Sequence, residues 1–168
     1  MGLKNYLIEG VSCVGKTTVC EQLIKRGYQG IHGDRELAYQ GDPLTGVAMN
    51  TSDHTHHIWD VDKVKHLISD NSNQATFFCG GSRNFNQFIH LFDLVFVLDI
   101  DRHTLIDRLK LRPADEWGGQ PSQKDFILDL HSTKEDLPKD AIVVNSAGSI
   151  ENIVNEILSK TGLSLTAT

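Results

Sequence analysis

The stretch GVSCVGKT at residues 10–17 constrains this chain more than any other. Its form, G-x-x-x-x-G-K-[ST], works only between a strand and a helix. The glycines let backbone N–H groups turn inward around phosphate oxygens, and the positive end of the following helix faces the same place. Both flanks are present. LKNYLIE (3–9) reads as a short strand. Val19, Cys20, Leu23 and Ile24 form one apolar stripe of a helix that Gly27 stops. In such a loop Lys16 reaches the β- and γ-phosphates of a nucleotide, and Thr17 offers its hydroxyl to Mg²⁺. Gly10, Ser12, Cys13, Val14, Gly15, Lys16, Thr17 and Thr18 are the expected nucleotide contacts.

The rest of the chain alternates strands and helices. YQGI (28–31), ATFFC (75–79), LVFVLDI (94–100) and AIVVN (141–145) read as strands, two of them continuously apolar, as in a sheet covered on both faces. Helices are expected at about 61–69 behind an Asp60 cap, from Asp101 to before Pro113, and after a Ser149 cap. Ser122 and Asp125 fit a capping box for another helix through about 132. Phe85, Phe88, Ile89 and Phe92 recur at helical spacing. Residues 33–57 read as loop or short helix, and 161–168 as a flexible tail. This order implies an α/β fold with a parallel sheet and right-handed crossovers. Ligands then lie beyond the carboxyl ends of the strands. Gly10–Thr17, Gly33–Asp34, Gly80–Arg83 and Ser146–Gly148 each follow a strand, so all four belong on one edge.

Composition narrows the partners. A length of 168 residues suits one core. A net charge of −6 with no basic block argues against a nucleic-acid groove. No apolar run approaches the ~20 residues of a membrane span. Cys13, Cys20 and Cys79 are few, odd in number and without Cys-x-x-Cys spacing, which fits a reducing cytoplasm.

In length, strand–helix order and motif order, residues 3–158 resemble the small P-loop kinases: shikimate, gluconate and adenylate kinases. The resemblance implies a three-layer P-loop NTPase fold with a five-stranded parallel sheet of order 2-3-1-4-5. It implies one domain over 1–160 with a short lid near 112–121, and ATP with Mg²⁺ as donor. Four clusters then acquire roles. "HGD" follows the second strand where gluconate kinases carry Asp-Gly-Asp and shikimate kinases Asp-x-Asp. Asp34 matches the second acid, as a proton acceptor or Mg²⁺ partner or, more plainly, a turn aspartate. His32 stands where those families have the first acid.

"FCGGSRN" follows the third strand, with Gly80, Gly81 and Arg83; Arg83 is either a clamp on a substrate anion or a solvated arginine. No acid stands there to hold Mg²⁺, which puts more weight on Asp34. Arg108 and Arg112 share a helix face before "PADEWGG", the place of the lid arginines that neutralise a transferring phosphoryl group. Ser146 and Ala147 lie in the loop that wraps adenine in the resembling families. "DHTHHIW" (53–59) falls in their substrate-binding region, offering His57 and Trp59 as contacts or forming a plain surface loop; its spacing suits zinc poorly. The plan of the nucleotide kinases favours a nucleoside or nucleoside monophosphate acceptor, with a sugar acid or polyol next. A nucleotide switch is the rival from another class, but its Asn-Lys-x-Asp signature is not found after the fourth strand.

Overall fold

The computed structural model describes residues 3–167. In chain order the elements are β1 (Lys4–Glu9), α1 (Lys16–Lys25), β2 (Gln29–His32), α2 (Gly33–Glu36), β3 (Ala38–Gln40), β4 (His57–Trp59), α3 (Val61–Ser69) and β5 (Ala75–Cys79). Two 3₁₀ turns, Phe85–Gln87 and Ile89–Leu91, precede β6 (Leu94–Asp99), α4 (Arg102–Lys110), α5 (Pro121–Thr133), β7 (Ile142–Asn145) and α6 (Ile150–Thr161).

The main sheet is parallel, with order β2-β5-β1-β6-β7. Numbering only its own five strands, this is the expected order 2-3-1-4-5. Ile8 faces Cys79 on one side and Phe96 on the other, and His32 faces Cys79. The strands therefore finish near one level, and the four glycine-bearing loops open on the same edge. One core packs α1, α4, α5 and α6 against the sheet through Leu23, Phe77, Phe96, Leu105 and Val154. The other packs Phe78, Phe88, Phe92, Trp59 and Val64 on the opposite face. Burial on both faces explains why Ala75–Cys79 carries apolar residues in succession, broken only by Thr76, since every residue of that strand is buried.

Four elements differ from the sequence reading. Residues 33–57 hold, besides the short helix α2 that the sequence reading allows, a strand, β3, that pairs antiparallel with β4 in a hairpin reaching Trp59. Its strands have three residues each, too few for alternation to show. The phenylalanine-rich segment forms 3₁₀ turns instead of a helix. Helix α5 starts at Pro121, and Gln123 Oε1, not Asp125, accepts from the Gln120 and Gly118 amides, at 3.3 and 3.0 Å. The segment 163–167, expected as part of a flexible tail, lies against the α1–β2 turn, with Ala167 N donating to Arg26 O at 2.9 Å and Tyr28 Oη to Ser164 O at 2.7 Å. The expected caps do form: Asp60 accepts from the Lys63 amide, Asp101 from Thr104 and Ser149 from Asn152.

Trp59 is the keystone between the hairpin and the sheet. It is 1% exposed and stacks on Phe88 at 5.5 Å, with the ring planes nearly parallel. Asn84 brackets its backbone, accepting from Trp59 N at 3.0 Å and donating to Trp59 O at 2.9 Å. Gly33 lies directly on the indole: a Cβ there would come within 2.0 Å of Cζ2. The glycine of "HGD" thus lets α2 pack on Trp59, and that packing aims Asp34 at the sheet edge.

Candidate phosphotransfer site

Two cavities open on this edge. The larger, about 580 Å³, is lined by the phosphate loop from Ser12 to Thr18, by Arg108, Arg112 and Trp117, and by Ser146 and Gly148. The smaller, about 290 Å³, lies between the loop, the hairpin and α5. Ser12, Lys16, Asp34 and Trp117 line both, so they mark the junction.

The loop has the backbone its motif requires. Gly10 has φ 155°, and a Cβ there would meet Val14 Cγ2 at 2.5 Å and the Leu98 carbonyl at 2.8 Å. Cys13 holds φ 71°, in the left-handed region that costs a side chain about 1 kcal/mol or more. Its carbonyl accepts from Arg108 Nη1 at 3.1 Å, while Arg108 Nη2 reaches the Ser146 carbonyl at 2.9 Å. Arg108 therefore ties the phosphate loop to the loop after β7. Arg112 turns instead to its own lid, donating to the Trp117 carbonyl at 3.0 Å and pairing with Glu116 at 3.3 Å. Lys16 Nζ donates to the carbonyls of Gly10 and Val11. Burial lowers the pKa of this ammonium, against the charges of Asp34 and Glu9.

Asp34 reaches the junction from α2. Burial alone would raise its pKa, but a hydrogen bond from His57 and the charge of Lys16 bring the net shift below the ordinary carboxylate value. His57 Nε2 donates to Asp34 Oδ1 at 3.0 Å, from the facing strand of the hairpin. Thr17 and Asp34 both line the larger cavity. Among the described residues no cluster of three or more His, Cys, Asp or Glu could hold a metal ion. A hydroxyl and one carboxylate suit Mg²⁺, which usually keeps several waters and takes phosphate oxygens as its remaining ligands.

The residues expected to bind the acceptor do not all fall in one cavity. Asp34, His57, Gly81 and Arg83 line the smaller cavity. Trp59 does not, because its ring is core, and Gly80 is packed on that ring, with a Cβ position 2.9 Å from Cζ2. Ala147 is likewise off the wall of the larger cavity, where Ser146 and Gly148 stand. Arg83 is not a free clamp: its Nη1 pairs with Asp136 Oδ1 at 2.5 Å. Asp136 Oδ2 accepts from His54 Nε2, also at 2.5 Å, and the His54 ring stacks on Trp117 at 6.1 Å. Trp117 Nε1 donates to Ser12 Oγ at 3.1 Å, so one lid side chain touches both the phosphate loop and the hairpin loop. Asp99, which ends an apolar strand as a metal-binding acid often does, is instead bound by Lys134 at 3.0 Å and lines neither cavity.

Glu9 escaped the sequence reading. It ends β1 directly before the loop and is 1% exposed, with Oε2 unpartnered. The available signal was a single acid closing a strand directly after the apolar run Tyr6–Ile8. Burial pushes its pKa up to about 8, although Arg83, Lys16 and the Ser82 amide pull the other way. The folded protein therefore holds this proton more tightly than the unfolded chain does. That contribution is complete below pH 4.5 and is lost as pH rises through about 8. Glu9→Gln cannot ionise. Its denaturation midpoint is expected to match the parent's at pH 4, to exceed it increasingly from pH 5 to 8, and to keep a constant lead above that. A pH-independent difference between the two curves would contradict the buried neutral acid.

The comparisons with known proteins agree with this architecture. The AAA domain family (AAA_18) matches residues 7–129. No curated protein matches the chain in sequence. Among solved structures, a tunicamycin resistance protein from Deinococcus radiodurans superposes with a TM-score of 0.63 at 17% identity, covering 99% of this chain and 100% of that one. A gluconokinase from Sinorhizobium meliloti 1021 gives 0.57 at 16%, covering 95% and 91%. A shikimate kinase from Bacteroides thetaiotaomicron gives 0.58 at 13%, covering 96% and 100%. With its phosphate loop, parallel sheet and strand order, the chain belongs to the AAA domain family and has the fold of the small P-loop kinases.

Proposed function

We propose that the chain is an ATP-dependent kinase that transfers the γ-phosphoryl group to a hydroxyl of a small acceptor, with a nucleoside as the first candidate. The observation that carries this reading is the junction. A phosphate-loop cavity and a second, smaller cavity share Lys16 and Asp34 on their common wall. A switch needs one nucleotide pocket; a transferase needs two that meet where the phosphoryl group passes. Gluconokinase and shikimate kinase folds among the structural neighbours support the same class.

Each residue has a role in this reading. The loop amides and Lys16 bind and orient the phosphates, and Arg108 and Ser146 border the cavity where the nucleoside end of ATP would lie. Thr17 and Asp34 would hold Mg²⁺, which when bound offsets charge on the phosphate oxygens. Asp34, kept ionised by His57, orients the acceptor hydroxyl and takes its proton. Arg112, released from Glu116 and the Trp117 carbonyl, adds positive charge at the transfer point. Trp117 and α5 exclude water from the acceptor side.

The test is ADP release from ATP with and without a pooled panel of nucleosides, sugars and polyols, followed by transfer of labelled phosphate to each compound. Acceptor-dependent ADP release with label in the acceptor is expected. Slow hydrolysis that no acceptor accelerates would instead favour a nucleotide switch.

A further inference from the structure

We infer that the acceptor is an uncharged polyhydroxyl compound with one apolar face, and that Asp136 sets this preference by occupying the arginine an anionic acceptor would need. The inference rests on the reading of the smaller cavity as the acceptor site. Every basic group on its wall already has an acidic or nucleotide-side partner. Lys16 is bound to the carbonyls of its own loop and belongs to the phosphates. His57 donates to Asp34. Arg83 and His54 divide the two oxygens of Asp136 between them. Arg83 also reaches the Asp136 carbonyl through Nη1 at 3.4 Å, its Nε is buried without a partner, and only Nη2 is left to meet a ligand.

An incoming phosphate or carboxylate would have to displace Asp136 from Arg83 or share the guanidinium with it through Nη2. Asp136 is only 18% exposed at its side chain, so either way a poorly hydrated carboxylate would face a second anion. Asp34 and Asp53 add two more acids to the same wall. Carboxylates and Gln40 on that wall instead suit hydroxyl donors. Trp117, Ile127, Leu130 and Leu137 give the same cavity an apolar part that suits the flat face of a base or sugar ring. A nucleoside or glycoside meets both parts; a nucleoside monophosphate or sugar acid does not.

Matched pairs test this directly: nucleosides against their 5′-monophosphates, and neutral sugars against the corresponding sugar acids. Binding to the parent protein with ADP present is read by calorimetry, and transfer from labelled ATP by kcat/KM. Neutral members are expected to bind at least tenfold tighter than their anionic partners. Asp136→Asn, nearly isosteric, is expected to shift the anionic-to-neutral ratio of kcat/KM upward by tenfold or more, because Arg83 is freed. A purely structural Asp136 would lower both members alike. Anionic members binding as tightly as neutral ones, no neutral member binding, or an unchanged ratio in Asp136→Asn would each overturn the inference. Transfer confined to anionic acceptors would do so while leaving the kinase reading intact. Binding of neutral members without transfer would keep the inference about the cavity and sink the kinase reading. The parent's binding series stands whether or not the variant folds.

Discussion

Lys16→Ala is expected to weaken ATP binding by ~30- to 1,000-fold and to abolish measurable turnover. The magnitude follows from losing charge-assisted hydrogen bonds to two phosphates, each worth ~1.5–3 kcal/mol, part of which water recovers. Without ligand, the ammonium fills its own loop, bonded to the Gly10 and Val11 carbonyls. Nucleotide binding must draw it away from these acceptors, and the depressed basicity of the buried amine adds to the benefit of reaching an anion. Lys16→Arg is not a rescue, because a planar fork cannot occupy the space of a compact ammonium inside the loop. Calorimetry with ATP, alongside a melting curve showing that the variant is folded, decides the matter. Binding of ATP within threefold of the parent would mean that the loop is not a nucleotide site.

The sheet was legible because its strands are covered on both faces, so their apolar runs need no alternation to be recognised; Ala75–Cys79 is the clearest case. The phosphate loop was legible because its function dictates a local backbone. The smaller cavity was not, because its contacts are remote in sequence. Arg83 and Asp136 are 53 residues apart, His54 and Asp136 82, and Ser12 and Trp117 105. No spacing rule links residues brought together by a hairpin, a lid and the loop after α5. Trp59 misled for a related reason: an aromatic beside three histidines resembles a ligand platform. The segment is instead a short strand, and its last side chain turns into the core. Glycine gave a partial signal. Gly33 was marked as part of a functional pair, but its demand comes from the indole beneath it.

The second large effect falls on Asp34. Asp34→Asn is expected to lower kcat by ~100- to 10,000-fold, the range for removing a positioned base or metal-binding carboxylate, while leaving ATP affinity without Mg²⁺ within a fewfold of the parent. The asymmetry follows from position. Asp34 stands on α2 where the two cavities meet, whereas the amides proposed to hold the phosphates belong to the loop after β1. His57 keeps Asp34 ionised, so its folded pKa lies below the ordinary value near 3.8. A group shifted this way contributes its stability above pH 3.8 and loses it as pH falls through the folded value. Protonation of Asp34 therefore cannot produce an acid limb near neutrality in the activity profile. In His57→Ala, Asp34 loses its hydrogen-bond donor. The acid limb of kcat should then move upward in pH, while the neutral plateau falls less than in Asp34→Asn. Parallel profiles of the parent and the two variants between pH 4 and 8, read by labelled phosphate transfer, separate these effects. An Asp34→Asn variant that turns over within fivefold of the parent would remove the carboxylate from the reaction and leave the junction without its proton acceptor.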